Sequence, residues 1–254
     1  MLTKVSGPTG GQAIPLFDYY LAPYVALSYV KHLAHAVKGK LDLTKEQYKE
    51  LKKLLIAYQK EHILVMNDKC YKEMKAIVRD FLDKENIKYT VKKITKSLED
   101  AYEDTYDETF QAMEAFIHNL NTMHSRAGAQ VPFSSINYGT DTSTEGRIIM
   151  ETVLKTTDDG LGNGETPIFP IQIFKMKDGV NFKPGDPNYD LFKLACEVSA
   201  KRLYPNFCNL DAPYNAELYI EGRPETEMAT MGCRTRVGKN TYDPDKSVIP
   251  GRGN

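Results

Sequence analysis

The hydrophobic period of this chain changes once, near Arg126, and that change limits the folds open to it. From about Asp18 to Arg126 apolar residues recur at helical spacing, whereas beyond Arg126 they gather in short β-branched and aromatic runs separated by helical stretches. A period near 3.6 buries one stripe of a helix; short runs bounded by Gly, Pro, Asp and Thr bury as strands. The expectation is a mainly helical part over residues 1–126 followed by an α/β part over residues 127–254. A length of 254 residues suffices for one large domain or two small ones.

In the first part Leu16, Phe17, Tyr20 and Leu21 lead into Val25–Val37, interrupted by Pro23, which suits a first turn or a kink. Thr44-Lys-Glu-Gln47 fits a capping box, in which hydroxyl and amide satisfy the free N–H groups of a helix start. Behind it Tyr48, Leu51, Leu55, Tyr58 and His62 form an amphipathic stripe. Ser97 reads as a second cap, opening a stripe through Tyr102, Tyr106, Phe110, Met113, Ile117, Leu120 and His124 that suits a core or helix–helix interface.

In the second part Gln130–Tyr138 and Ile168–Lys175 read as strands, with Pro132 and Pro170 favouring irregular or peripheral pairing. Helices are expected from Ser143 through Leu154 and from Asn188 to Leu203. Strand and helix alternate, which suggests part of a larger α/β sheet or barrel with reactive groups on loops at strand ends.

Composition removes several functions. The net charge is −1, which argues against wholesale binding of nucleic acid or anionic membrane. Neither a signal peptide nor an apolar run near the roughly 18 residues of a membrane span is present, so a cytoplasmic location is expected. The four cysteines, Cys70, Cys196, Cys208 and Cys233, include no C-x-x-C pair, and no metal site within the chain is expected. Cys70 and Cys196 read as buried or half-buried small hydrophobes; Cys208 is open. His32 with His35, and His118 with His124, suit packing or surface roles. Gly160-Leu-Gly-Asn-Gly164 matches no phosphate-loop pattern and reads as a turn. Glu225 and Glu227 could act as a base or hold arginines, but loop carboxylates are usually solvated.

Cys233 differs from these. In Met228-Ala-Thr-Met-Gly-Cys-Arg-Thr-Arg236 small and flexible neighbours allow a tight turn that displays one sulfur, and Arg234 and Arg236 offer charge to an anionic substrate. A thiolate nucleophile would want a histidine, and all five lie at or before residue 124. A thiyl radical needs only shielding and an aligned C–H bond. Local sequence leaves both chemistries open.

Four blocks together resemble the anaerobic (class III, glycyl-radical) ribonucleoside triphosphate reductases: Gly10-Gly-Gln-Ala-Ile-Pro15, Asn119 through Gly139, Gly160 through Phe174, and Met228 through Val237. The resemblance runs from Gly10 to Asn254. It implies part of a ten-stranded α/β barrel of the glycyl-radical and ribonucleotide reductase type, with a long-helix N-terminal half that falls where relatives dimerise and bind a deoxynucleotide effector. It implies that Cys233 abstracts the ribose 3′ hydrogen of a ribonucleoside triphosphate, after which the 2′ hydroxyl leaves as water. Met231 would lie near the substrate, Asn254 would hydrogen-bond the ribose hydroxyls, and Ser134, Ser135, Asn137 and Arg234 would contribute to substrate binding.

The same resemblance implies that this chain is the middle piece of a reductase. Family members carry an ATP-sensing region upstream, and downstream a four-cysteine zinc site and a glycine that an S-adenosylmethionine-dependent iron–sulfur activase converts to a radical. The chain alone is therefore expected to be inert, and to need complementary segments and the activase; alternatively it is a non-catalytic remnant or binding module. A homodimer, ATP and deoxynucleotide effectors, and no membrane or nucleic-acid partner complete the expectation.

Overall fold

A computed structural model describes residues 11–123, 131, 133–217, 219–232, 235–237 and 252–253. Two compact units divide the chain. One comprises Leu21–Thr109 with Ser143–Ile148; the other comprises the segments Met1–Tyr20, Phe110–Thr142 and Ile149–Asn254.

The long helices are α1 (Phe17–Leu41), α2 (Lys45–His62), α3 (Asp68–Lys84) and α4 (Val91–Thr122). Pro23 lies inside α1 rather than at its start. The expected capping box opens α2: the Thr44 hydroxyl accepts the Gln47 N–H at 3.3 Å, and the Gln47 side-chain oxygen accepts the Thr44 N–H at 3.0 Å. Behind it Leu51 and Leu55 are fully buried. Thr44→Ala removes the hydroxyl acceptor, and the expected cost of about 1 kcal/mol would lower the melting temperature by roughly 2–4 °C in a thermal denaturation scan. Asn67 caps α3 through the Cys70 N–H, and Met74, Val78, Phe81 and Leu82 are buried along it.

Helix α4 corrects two expectations. It begins ahead of Ser97, where the Thr90 hydroxyl accepts the Lys93 N–H at 3.3 Å. Ser97 itself is buried inside the helix and donates to the Lys93 carbonyl. The buried stripe also runs one position earlier than expected. Ile94, Leu98, Ala101, Thr105 and Thr109 are buried, while Tyr102 is exposed and Tyr106 and Phe110 are half-buried. Threonine can occupy this face because Thr105 and Thr109 donate to carbonyls four residues back. Met113, Ile117 and Leu120 continue as expected; His124 lies outside the described residues.

In the α/β part the sheet is mixed. Strands β1 (Gly11–Ile14), β2 (Ser134–Tyr138), β3 (Ile171–Met176) and β4 (Asn206–Asn209) run parallel in that spatial order. A short β7 (Arg252–Gly253) lies antiparallel on the free side of β1. Helices α5 (Thr144–Asp159) and α6 (Tyr189–Arg202) follow β2 and β3. Strand β3 is interior, not peripheral, because Pro170 precedes its first residue and takes no ladder position. Pro132 lies outside the described residues.

Alternation gives the sheet two different faces. On one, Tyr138 and Phe174 pack edge to face at 5.7 Å, Phe192 and Phe207 join them, and Tyr138 donates to Gln172, which donates to Thr157 of α5. On the other, Ile171 and Ile173 pack with Cys208, Leu210 and Met228. Among the described residues no helix is long and apolar enough to cross a membrane.

Candidate functional site

The face carrying Ile173 holds a two-stranded hairpin of β5 (Ala229–Met231) and β6 (Thr235–Val237). Met231 pairs with Thr235; of the residues between them Gly232 is described, and Cys233 and Arg234 lie outside the described residues. Two side chains of β2 tie this hairpin down. Asn137 donates to the Thr230 carbonyl at 2.9 Å and accepts the Thr230 N–H at 2.8 Å, so one amide takes the place of a neighbouring strand. Two residues earlier, on the same face, the Ser135 hydroxyl accepts the Gly232 N–H at 3.0 Å. Gly232 has φ 61°, the left-handed region that glycine enters without strain.

The root of the hairpin is held by charge. Lys175, on β3, donates to Oε2 of Glu227 at 2.5 Å, and both side chains are almost wholly buried, 0% and 2% exposed. The Thr140 hydroxyl donates to the same oxygen at 2.7 Å, and Lys177 lies 3.5 Å from Oε1. Lys177 also sits 3.6 Å from the centre of the Tyr219 ring. One carboxylate therefore joins the chain after β2, the end of β3 and the hairpin.

A second buried carboxylate braces that junction. Oδ2 of Asp18 accepts the N–H groups of Gly139, Thr140 and Asp141 at 2.8, 3.2 and 3.2 Å. Gly139 has φ 133°, a conformation open to glycine because it carries no Cβ. Burial pushes the Asp18 carboxyl above the ordinary carboxylate range, opposed by the Lys175 charge and the Gly139 N–H. The outward carbonyls are taken up by amides: Asn181 donates to Gly139 and Lys175, and Asn188 to Asp141. Asn188 thus serves this junction and gives α6 no side-chain cap.

The expected site residues fall into distinct groups. Ser135, Asn137 and Met231 come together at the hairpin. Ser134 lies on the opposite face of β2, where its buried hydroxyl has no hydrogen-bond partner among the described residues. Cys233, Arg234 and Asn254 lie outside the described residues. Arg236 is tied to the Tyr214 carbonyl and the Asn215 side chain, and its guanidinium lies over the Tyr214 ring.

Glu227 is a correction, because it is buried and paired where a solvated loop carboxylate was expected; Glu225 pairs with Arg223. Sequence reasoning missed Lys175, Thr140 and Asp18. The available signal was Lys175 itself, a cation inside an apolar strand that alternation places with Ile171 and Ile173.

The other motifs are structural. Cys196 is exposed on α6, which corrects the expected burial, and partial desolvation and Glu197 push its thiol up. Cys208 is buried, with its thiol pushed up by desolvation, and Cys70 is buried against the Leu64 carbonyl. Neither Cys196 nor Cys208 has an activated thiol. His32 meets Glu108 at 2.9 Å, and among the described residues no three His, Cys, Asp or Glu side chains form a metal-binding group. In the Gly160–Gly164 turn, Asn163 gives its N–H groups to the Glu165 carboxylate, while Arg202 clasps the Asp158 and Gly164 carbonyls. That turn keeps its donors for its own acid.

A family described as anaerobic ribonucleoside-triphosphate reductase matches residues 2–254. Relatives named as anaerobic ribonucleoside-triphosphate reductases are 36% identical over 146 residues in Escherichia coli K12, covering 57% of this chain and 19% of the relative. The Haemophilus influenzae relative is 29% identical over 230 residues, covering 90% of this chain and 24% of the relative. That of Enterobacteria phage T4 is 35% identical over 146 residues, covering 57% of this chain and 23% of the relative. The chain thus spans about a fifth to a quarter of the length of these relatives.

Proposed function

The chain belongs to the anaerobic ribonucleoside-triphosphate reductase family, and from that premise we propose that it supplies the cysteine hairpin of such a reductase. Ribonucleoside triphosphate is the substrate. A thiyl radical on Cys233 removes the 3′ hydrogen of the ribose, forming S–H and leaving the carbon radical. The 2′ hydroxyl takes up a proton and departs as water, an external reductant (formate or a thiol protein) supplies two electrons and a second proton to the 2′ carbon, and the hydrogen on sulfur returns to the 3′ carbon. A glycyl radical made by an S-adenosylmethionine-dependent activase supplies the unpaired electron in the intact family enzyme. Arg234 and Asn254 contact substrate, and Met231 lies beside it.

The observation that carries this reading is the clamp of Asn137 on Thr230 and of Ser135 on Gly232, which holds the backbone on either side of Met231, just before Cys233. Reversible hydrogen transfer between sulfur and carbon requires the two atoms to be aligned within a few tenths of an ångström, roughly the tolerance of a functional site. Strands hold such geometry better than a free loop. In this reading Ser135 and Asn137 act on substrate through the hairpin they fix. The parallel strands β1–β4 are part of the ten-stranded barrel, complementary segments complete it, and the helices of residues 1–126 serve dimerisation and the ATP or deoxynucleotide effectors. The structural zinc belongs to those complementary segments.

Reconstitution tests the proposal. The chain, the complementary reductase segments, activase, S-adenosylmethionine, ribonucleoside triphosphate and a reductant (formate or a thiol protein) are combined without oxygen, and deoxyribonucleotide is quantified with each component omitted in turn. Product is expected only when this chain is present. Equal product with and without it sinks the proposal and favours a non-catalytic remnant.

A further inference from the structure

The Lys175–Glu227 pair is hard to explain as a source of stability. Two desolvated charges recover little more than they lose, and well-packed apolar residues of the same shape serve a core as well or better. What such a pair does supply is a single geometry, because each charge must find the other. Here the geometry is specific to one element. Glu227 directly precedes Met228, whose side chain packs on Ile173, Cys208 and Leu210, and Met228 directly precedes β5. The carboxylate takes bonds from two separate strand ends, Thr140 beyond β2 and Lys175 on β3.

We infer that Lys175, Glu227 and Thr140 are positioning residues for Cys233, acting as a latch that fixes the root of the hairpin against the ends of β2 and β3. The inference rests on Cys233 being the reacting sulfur for its functional meaning. The latch and the Asn137–Ser135 clamp divide the work: the clamp sets the distance of β5 from β2, and the latch stops it sliding along the strands. The Asp18 cradle holds Thr140 through its backbone N–H rather than its hydroxyl, and the Lys175 charge acts on Asp18 as well as on Glu227.

The test uses the full chain carrying Lys175→Met with Glu227→Gln, a neutral pair of nearly the same shape that keeps an acceptor for Thr140. Hydrogen–deuterium exchange is read at residues 229–231 and 235–237, with β3 as the internal reference. The alkylation rate of Cys233 relative to the exposed Cys196 is read by mass spectrometry. The latch predicts about tenfold faster hairpin exchange, and a changed Cys233 to Cys196 ratio, while β3 keeps its wild-type protection. Wild-type hairpin exchange overturns the inference. So does acceleration shared equally by hairpin and β3, since the pair would then be a general core contact. Thr140→Val, which removes one hydroxyl and keeps the ion pair, should give a smaller change confined to the same residues, and no change in it counts against the latch. Neither readout involves deoxyribonucleotide formation, so failure of the latch and failure of the reductase reading are separable.

Discussion

Lys175→Met is expected to destabilise the fold by about 3–5 kcal/mol, because it strands the Glu227 carboxylate in a site stripped of water. Lys175 supplies its closest cation, at 2.5 Å; Lys177 is farther, at 3.5 Å from the other oxygen, and the Thr140 hydroxyl brings no charge. Methionine fills nearly the same volume, so the loss comes from a buried charge left with only the more distant Lys177 rather than from a cavity. The urea midpoint should fall with little change in slope, since the surface exposed on unfolding is unaltered. Adding Glu227→Gln to the same chain should recover most of the loss, because the buried charge is then gone from both sides. A single substitution that costs under about 1 kcal/mol, the level of an exposed pair, would mean the site is far wetter than its geometry implies.

Gly139→Ala is expected to be nearly as damaging, for a different reason. A Cβ there would meet the Lys175 carbonyl oxygen at 2.6 Å and the Lys175 nitrogen at 3.0 Å, both backbone atoms of an interior strand. Its φ of 133° adds strain for any L side chain. Strain and overpacking each contribute about 1–3 kcal/mol, so about 3 kcal/mol or more is expected in total. Gly232→Ala makes the internal comparison, since its φ is 61° and a Cβ would meet nothing within 4 Å. Only the left-handed conformation is penalised there, by about 1–2 kcal/mol. Denaturation of both variants in parallel checks the order; a Gly232 variant that loses more than the Gly139 variant would contradict it.

What the sequence made legible follows the range of the forces involved. The capping box at Thr44 and Gln47 joins residues three apart, and its geometry is close to what local chemistry dictates. Ser97 carries the same local signal but is not the cap, because Thr90 stands about two turns earlier and takes that role, leaving Ser97 a back-bond inside the helix. The expected stripe on α4 follows the tyrosines because an aromatic ring offers far more apolar area to bury than a threonine. The helix buries Ala101, Thr105 and Thr109 instead, with the two threonine hydroxyls satisfied internally.

The site was legible to a different degree. Cys233 stands out through its glycine and arginine neighbours, which are adjacent in sequence. The supports do not, because Asp18, Thr140, Lys175 and Glu227 come from four separate segments that only the tertiary fold brings together. Average exposure assigns a loop glutamate to solvent. The lone cation in an apolar strand was the one available warning that some acid had to be buried with it.

Hydrogen abstraction by Cys233 is tested most directly with ribonucleoside triphosphate deuterated at the 3′ carbon, in the reconstituted reductase, comparing the wild-type chain with Cys233→Ser. Serine keeps the shape but offers an O–H bond too strong to exchange hydrogen with a sugar carbon. The wild-type assembly should form deoxyribonucleotide with slower turnover on the deuterated substrate, and the serine variant should form none above the level without this chain. Equal product from both chains would contradict the account.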